Sequence, residues 1–162
     1  MSGVARSRLA AERKAWRQNH PYGFVAKPYI GPDGSVNLMM WNCFIPGEAG
    51  VMQTCWEKGH YPITLIFNEN YPTQSPRCHF PYGFLHPNVY KDSGEVCLSI
   101  IGYDWKPEIT VKQILMGIQF LLNNPNPASP ANSEFKMVFV QDRVEYERKV
   151  REQAQQYSRV LF

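Results

Sequence analysis

Between Pro81 and Glu108 the chain follows neither the helical nor the strand period. Yet it carries Phe84, Leu85, Val89, Tyr90, Leu98, Ile100, Ile101 and Trp105. Pro81, Gly83, Pro87, Gly94, Gly102 and Pro107 punctuate it. So long a connection inside a compact domain is usually either functional or disordered. Its apolar content argues against disorder, because such side chains need a core to enter. The rest of the chain must therefore fold around an ordered, irregular segment, and chemistry is expected there.

Strand patterns precede this segment and helical patterns follow it. Residues 4–19 read as a helix, with Leu9 and Trp16 on one face and Arg13, Lys14 and Arg17 on another. His20-Pro21 stops it. Phe24 to Pro28 gives a first strand, and Pro32-Asp33-Gly34 a turn. Met39, Trp41, Cys43 and Ile45 alternate with Asn42 and Phe44 as a second strand. Tyr61, Ile63, Leu65 and Phe67 form a third, and Arg77 to Phe80 a short fourth. Beyond the irregular segment, Val111, Ile114, Leu115, Ile118, Leu121 and Leu122 mark an amphipathic helix over 110–123, which Thr110 can cap. Ser129-Pro130 reads as an N-cap with proline at the first helical position, opening a helix to about Val140. A last helix is expected from about Asp142 to Tyr157. Strands segregated from helices imply an α+β fold: an N-terminal helix, a four-stranded antiparallel sheet, a long ordered loop and three C-terminal helices.

Bulk properties fit one domain spanning residues 1–162. Hydrophobic residues make up 44% and charged residues 19%, which suits a globular chain. No apolar run approaches the roughly 20 residues that cross a bilayer, and the charged N-terminus does not resemble a signal peptide. A soluble protein of nucleus and cytoplasm is the expectation, with no membrane partner. The net charge of +3 is too small to call for nucleic acid. Arg6, Arg8, Arg13, Lys14 and Arg17 nevertheless crowd the first helix, as a docking face for an acidic partner or as a solvated one. Cysteines stand at 43, 55, 78 and 97, with no CxxC or HxxxH, so neither a metal site nor a cofactor is expected.

Within the irregular segment, Cys97 follows Asn88 by nine positions and Tyr90 by seven, so the three can meet at one site. A thiolate is a good nucleophile whose thioester stays reactive toward amines, which suits acyl transfer. A free thiol titrates near 8.5, so a minority is ionised at cellular pH without a dedicated base. The Asn88 amide can donate to an oxyanion or pin the loop through backbone groups, and both roles stand open. His86 suggests a Cys-His dyad, but a histidine beside proline with no acidic orienter reads better as bonded to local backbone.

His86-Pro87-Asn88, Cys97-Leu98 and Trp105-x-Pro107, with Tyr71-Pro72, Pro76 and Pro125-Asn126-Pro127, resemble the ubiquitin-conjugating enzyme family along essentially the whole chain. The SUMO-conjugating branch is resembled most. Its marks are Ser2-Gly3, Arg8-Leu9-Ala10, Glu12 to Arg17, His20-Pro21 with Gly23-Phe24, Ile45-Pro46-Gly47, Cys97 to Ile100, Lys112 to Leu115 and Arg143 to Glu147. The resemblance implies Cys97 as the thioester cysteine, with Asn88 and Tyr90 flanking an incoming lysine. Arg13, Lys14, Arg17 and His20 would contact SUMO and the SUMO-activating enzyme. Arg77 and His79 would receive the acidic position of an apolar-Lys-x-Glu acceptor, while Ser129, Pro130 and Ala131 would form the far wall of the lysine channel. SUMO ligases and substrate proteins with exposed lysine motifs are the further implied partners.

Three positions depart from that branch. The loop from Ile45 to Trp56 is a few residues longer, and Trp56-Glu57-Lys58-Gly59 after it has lysine where glycine is usual. Only four residues separate Ile100 from Trp105, a ubiquitin-type length. Ser129 replaces a frequent aspartate. A ubiquitin conjugator, favoured by the short loop, and a non-catalytic binding module, disfavoured by Cys97, are the alternatives.

Overall fold

A computed structural model describes residues 2–49 and 54–158. The element order is α1 (Ser2–Gln18), β1 (Val25–Ile30), β2 (Val36–Pro46), β3 (His60–Ile66), β4 (Arg77–His79), a 3-10 turn at Ser99–Ile101, α2 (Val111–Asn123), α3 (Ser133–Gln141) and α4 (Arg143–Gln156). The strands form one antiparallel sheet in the order β1-β2-β3-β4. The expected α+β fold is therefore the observed one.

Alternation along the strands fixes which sheet face is covered. Trp41, Cys43 and Ile45 of β2 and Tyr61, Ile63 and Leu65 of β3 are buried, whereas Asn42 and Phe44 between the first three, and Ile66 at the end of β3, are exposed. A one-residue slip would invert this pattern, so burial enforces the register Cys43↔Ile63 and Trp41↔Leu65. The helix α2 lays Val111, Ile114, Leu115, Ile118, Leu121 and Leu122 into the core. Burial of each such aliphatic side chain contributes about 1.5–3 kcal/mol. A reciprocal cap starts the helix: Gln113 N–H donates to Thr110 Oγ1 at 3.1 Å, and Thr110 N–H donates to Gln113 Oε1 at 2.9 Å. Glu12 of α1 joins the same helix start, its carboxylate accepting from Val111 N–H at 3.2 Å.

One expected helix start is corrected. Asn132, not Ser129, caps α3, accepting from Phe135 N–H at 3.0 Å. The N–H groups of Ala131 and Asn132 both donate to Pro87 O, at 2.9 and 3.0 Å, which holds 129–132 off the helix axis as a loop. The longer loop noted after Ile45 includes residues 50–53, which lie outside the described residues.

Candidate active site

The irregular segment is ordered because two helices and an aromatic stack hold it. Gln153 of α4 brackets Leu85, accepting from its N–H at 2.7 Å and donating to its carbonyl at 3.0 Å. His86 is fully buried; its Nδ1 accepts from Asn88 N–H at 3.0 Å and its Nε2–H donates to Leu121 O of α2 at 2.8 Å. Those bonds fix the tautomer. Burial lowers its pKa from 6.5 to about 4, so the ring is neutral and structural. Phe84 stacks on Phe80 at 4.0 Å and on Trp56 at 5.9 Å, anchoring the entrance to the segment.

From Asn88 the chain makes a narrow hairpin against β4. Val89 pairs with Val96, Tyr90 N–H donates to Glu95 O at 3.0 Å, and Val96 N–H donates to Cys78 O at 3.0 Å. Gly94 turns the hairpin at φ +77°, and a Cβ there would lie 1.9 Å from Phe80 O. Only glycine fits. Cys97 N–H then donates to Asn88 O at 2.9 Å, which brings the cysteine beside the asparagine.

The result is a groove of about 510 Å³ that gathers Cys97, Asn88, Tyr90 and Ser129 with Glu95, Tyr103, Leu121 and Asn126. Asn88 is only 1% exposed. Its Nδ2 donates to Asn126 O at 2.8 Å and Ser129 O at 3.0 Å, while its Oδ1 accepts from Asn126 N–H at 2.8 Å. Both amide protons are thus committed to the loop. Donation to an oxyanion would require breaking one of these bonds, so the geometry favours the pinning role of the two left open by the sequence.

Of the four thiols, Cys97 is the one in this groove. Burial pushes Cys43 up to about 12 and raises Cys78 further, which keeps both protonated. Cys55, against Arg151 and Ala154 of α4, is raised by burial and then by Glu147.

Other expected site residues fall around this centre. Pro130 and Ala131 follow Ser129 on the loop that Asn88 and Pro87 tether. Arg77 and His79 project from β4 beside the hairpin, Arg77 Nε lying 3.6 Å from Glu95 Oε1 and His79 Nδ1 donating to Ser93 O at 3.3 Å. Arg13, Lys14 and Arg17 of α1 line a second groove of about 490 Å³ against Val36 and Leu38 of β2. His20, outside that lining, stacks on Trp16 at 5.2 Å. The other two helix arginines are engaged: Arg6 with Glu69 at 2.8 Å, and Arg8 with Glu12 and the carbonyls of Pro107 and Ile109.

Sequence reading assigned no role to Asn126, Glu95 or Tyr103. Asn126 sits in Pro125-Asn126-Pro127, a pattern that could have signalled a constrained turn. Nothing in sequence links Glu95 to Arg77. The short connection after Ile100 closes compactly, with Gly102 and Asp104 N–H both donating to Ser99 O at 2.9 Å. Lys58, in place of a glycine, adopts φ 73°, the left-handed region that glycine favours.

A thiol set in a groove on an ordered loop is an arrangement suited to carrying an acyl group as a thioester. The family model for ubiquitin-conjugating enzymes matches residues 8–154, and the chain belongs to that family. It is 60% identical over 162 residues to the SUMO-conjugating enzyme SCE1 of Arabidopsis thaliana, covering 99% of each chain. It is 50% identical to the Sumo-conjugating enzyme ubc9 of Dictyostelium discoideum over 97% of this chain and 98% of that one. Identity to the SUMO-conjugating enzyme UBC9 of Caenorhabditis elegans is 48%, over 99% of this chain and 96% of the relative.

Proposed function

We propose that this protein is a SUMO-conjugating enzyme that carries SUMO as a thioester on Cys97 and transfers it to substrate lysines. The observation that carries the reading is the placement of Cys97 as the groove thiol in a chain similar along its whole length to SUMO-conjugating enzymes. In charging, the Cys97 thiolate attacks the thioester carbonyl between SUMO and its activating enzyme and expels that enzyme's thiolate. In transfer, the neutral amine of a lysine attacks the new thioester, forms an amide, loses a proton and releases the Cys97 thiolate.

Lysine has a reference pKa near 10.4, so about one part in a thousand is neutral near pH 7.4. The groove must favour that form or orient it. Tyr90, half exposed at its rim, shields the amine from water and so disfavours the ammonium. The Ser129 hydroxyl supplies hydrogen bonding without a carboxylate, and Pro130 and Ala131 continue that wall. Asn88 serves both by holding the 126–129 loop in place.

Arg13, Lys14 and Arg17, with His20 nearby, form the face for SUMO and its activating enzyme. Arg77 and His79 meet the acidic residue of apolar-Lys-x-Glu acceptors. SUMO ligases and lysine-bearing substrate proteins complete the partners, met in nucleus and cytoplasm. The test is charging with purified SUMO and ubiquitin activating enzymes, each with ATP and its own modifier. A reducible adduct with SUMO is expected. Efficient charging by the ubiquitin system alone would select the second reading, which the short Ile100–Trp105 loop favours.

A further inference from the structure

Arg77, offered above as the cation for an acceptor carboxylate, already faces one. Glu95 Oε1 lies 3.6 Å from Arg77 Nε, and Glu95 is itself a lining residue of the Cys97 groove. Backbone pairing fixes that neighbourhood. His79 of β4 and Glu95 of the hairpin face each other across an antiparallel bridge, and Arg77 stands two residues along the same side of β4. The second cation is less available than it looks. His79 places Nδ1–H on Ser93 O at 3.3 Å, which leaves only its Nε2 edge to meet an acceptor.

We propose that Glu95 is a specificity-determining residue: it occupies Arg77 in the resting enzyme and competes with the acidic residue of the acceptor. The idea rests on the conjugating function proposed above and deepens it. The pair is suited to exchange, with the Arg77 and Glu95 side chains 66% and 37% exposed. Exposed ion pairs hold weakly and are easily replaced. While Glu95 is ionised, an acceptor carboxylate meets a neutralised arginine and a like charge. An acceptor with a neutral residue there meets neither penalty. Selection for acidic acceptors is thereby damped, and lysines outside an acidic motif gain relative access to Cys97.

The experiment is single-turnover discharge of purified, SUMO-charged enzyme onto two peptides, apolar-Lys-x-Glu and apolar-Lys-x-Gln, each rate normalised to the charged fraction. Glu95→Gln keeps size and backbone and removes the charge. It is expected to raise the Glu-to-Gln peptide rate ratio by about 2- to 5-fold at low salt, the range an exposed pair supports. The rise should shrink at high salt, and it should be smaller for Arg77→Ala/Glu95→Gln against Arg77→Ala than for Glu95→Gln against wild type. An equal change for both peptides, or a rise undiminished in the Arg77→Ala background, would overturn the proposal. Failure of wild type to charge with SUMO would instead overturn the function on which it rests.

Discussion

Asn88 and Asn126 exchange a reciprocal pair of hydrogen bonds across the groove: Nδ2 of Asn88 donates to Asn126 O, and its Oδ1 accepts from Asn126 N–H, both at 2.8 Å. A third bond from the same amide reaches Ser129 O at 3.0 Å. One buried side chain thus substitutes for a strand partner between the cysteine loop and the loop before α3. The position of the groove's far wall depends on it.

Asn88→Ala removes all three bonds and leaves backbone groups to find water. It should cost about 2–3 kcal/mol in chemical denaturation, since each bond is worth about 1 kcal/mol net. Asn88→Asp should cost a similar amount, because it turns a carboxylate toward two carbonyls. A loss below about 0.5 kcal/mol for both would show that the loop is held otherwise.

His86 should leave a signature in stability against pH. Its folded pKa is lowered to about 4 by burial, and an unfolded histidine titrates near 6.5. Between those values the unfolded chain binds a proton that the native chain refuses. The stability contribution is therefore full above about pH 6.5 and is lost as pH falls toward 4, by about 3 kcal/mol in all. His86→Gln should be less stable at neutral pH yet show a flatter decline over that window. Parallel curves for the two proteins would remove His86 as the titrating group.

Lys58 holds φ 73° at the turn before β3. A side chain in this region costs about 1–2 kcal/mol, part of which glycine gives back through a more flexible unfolded chain. Lys58→Gly should stabilise the fold by roughly 0.5–1 kcal/mol, read from thermal or chemical unfolding. Destabilisation would mean that lysine contacts outweigh the strain.

Ser129 is free of the capping role, which Asn132 performs. Ser129→Asp should thus leave stability within about 0.5 kcal/mol of wild type, as surface substitutions do. A carboxylate beside the entering amine favours its charged form, so the pH profile of lysine discharge should shift to higher pH. Superimposable single-turnover profiles would place Ser129 outside the lysine's reach.

Much of this architecture was legible in the sequence, for reasons that separate cleanly. The alternation in β2 and β3 and the apolar stripe of α2 are local patterns, and burial follows them residue by residue. Thr110 was legible as the cap of α2, while Gln113's reciprocal bond to it appears only in the structure. The start of α3 did not, because Ser129-Pro130 and Asn132 are both acceptable caps. The choice falls to Pro87 O, more than forty positions earlier, which takes the Ala131 and Asn132 N–H groups. Cys97, Asn88 and Tyr90 could be picked out because one segment carries them. Asn126 and Glu95 act through partners distant in sequence, and the contacts that give them meaning exist only after folding.

The most direct measurement concerns Cys97 itself. Wild-type protein and Cys97→Ser would be incubated with SUMO, its activating enzyme and ATP, then resolved with and without reducing agent, with the adduct mapped by mass spectrometry. A thioester is cleaved by thiols, whereas the serine oxyester resists them and discharges poorly to amines. The account predicts a reducible adduct on Cys97 in wild type and a reductant-resistant one in Cys97→Ser. A reducible adduct that persists in Cys97→Ser, mapped to Cys43, Cys55 or Cys78, would contradict it.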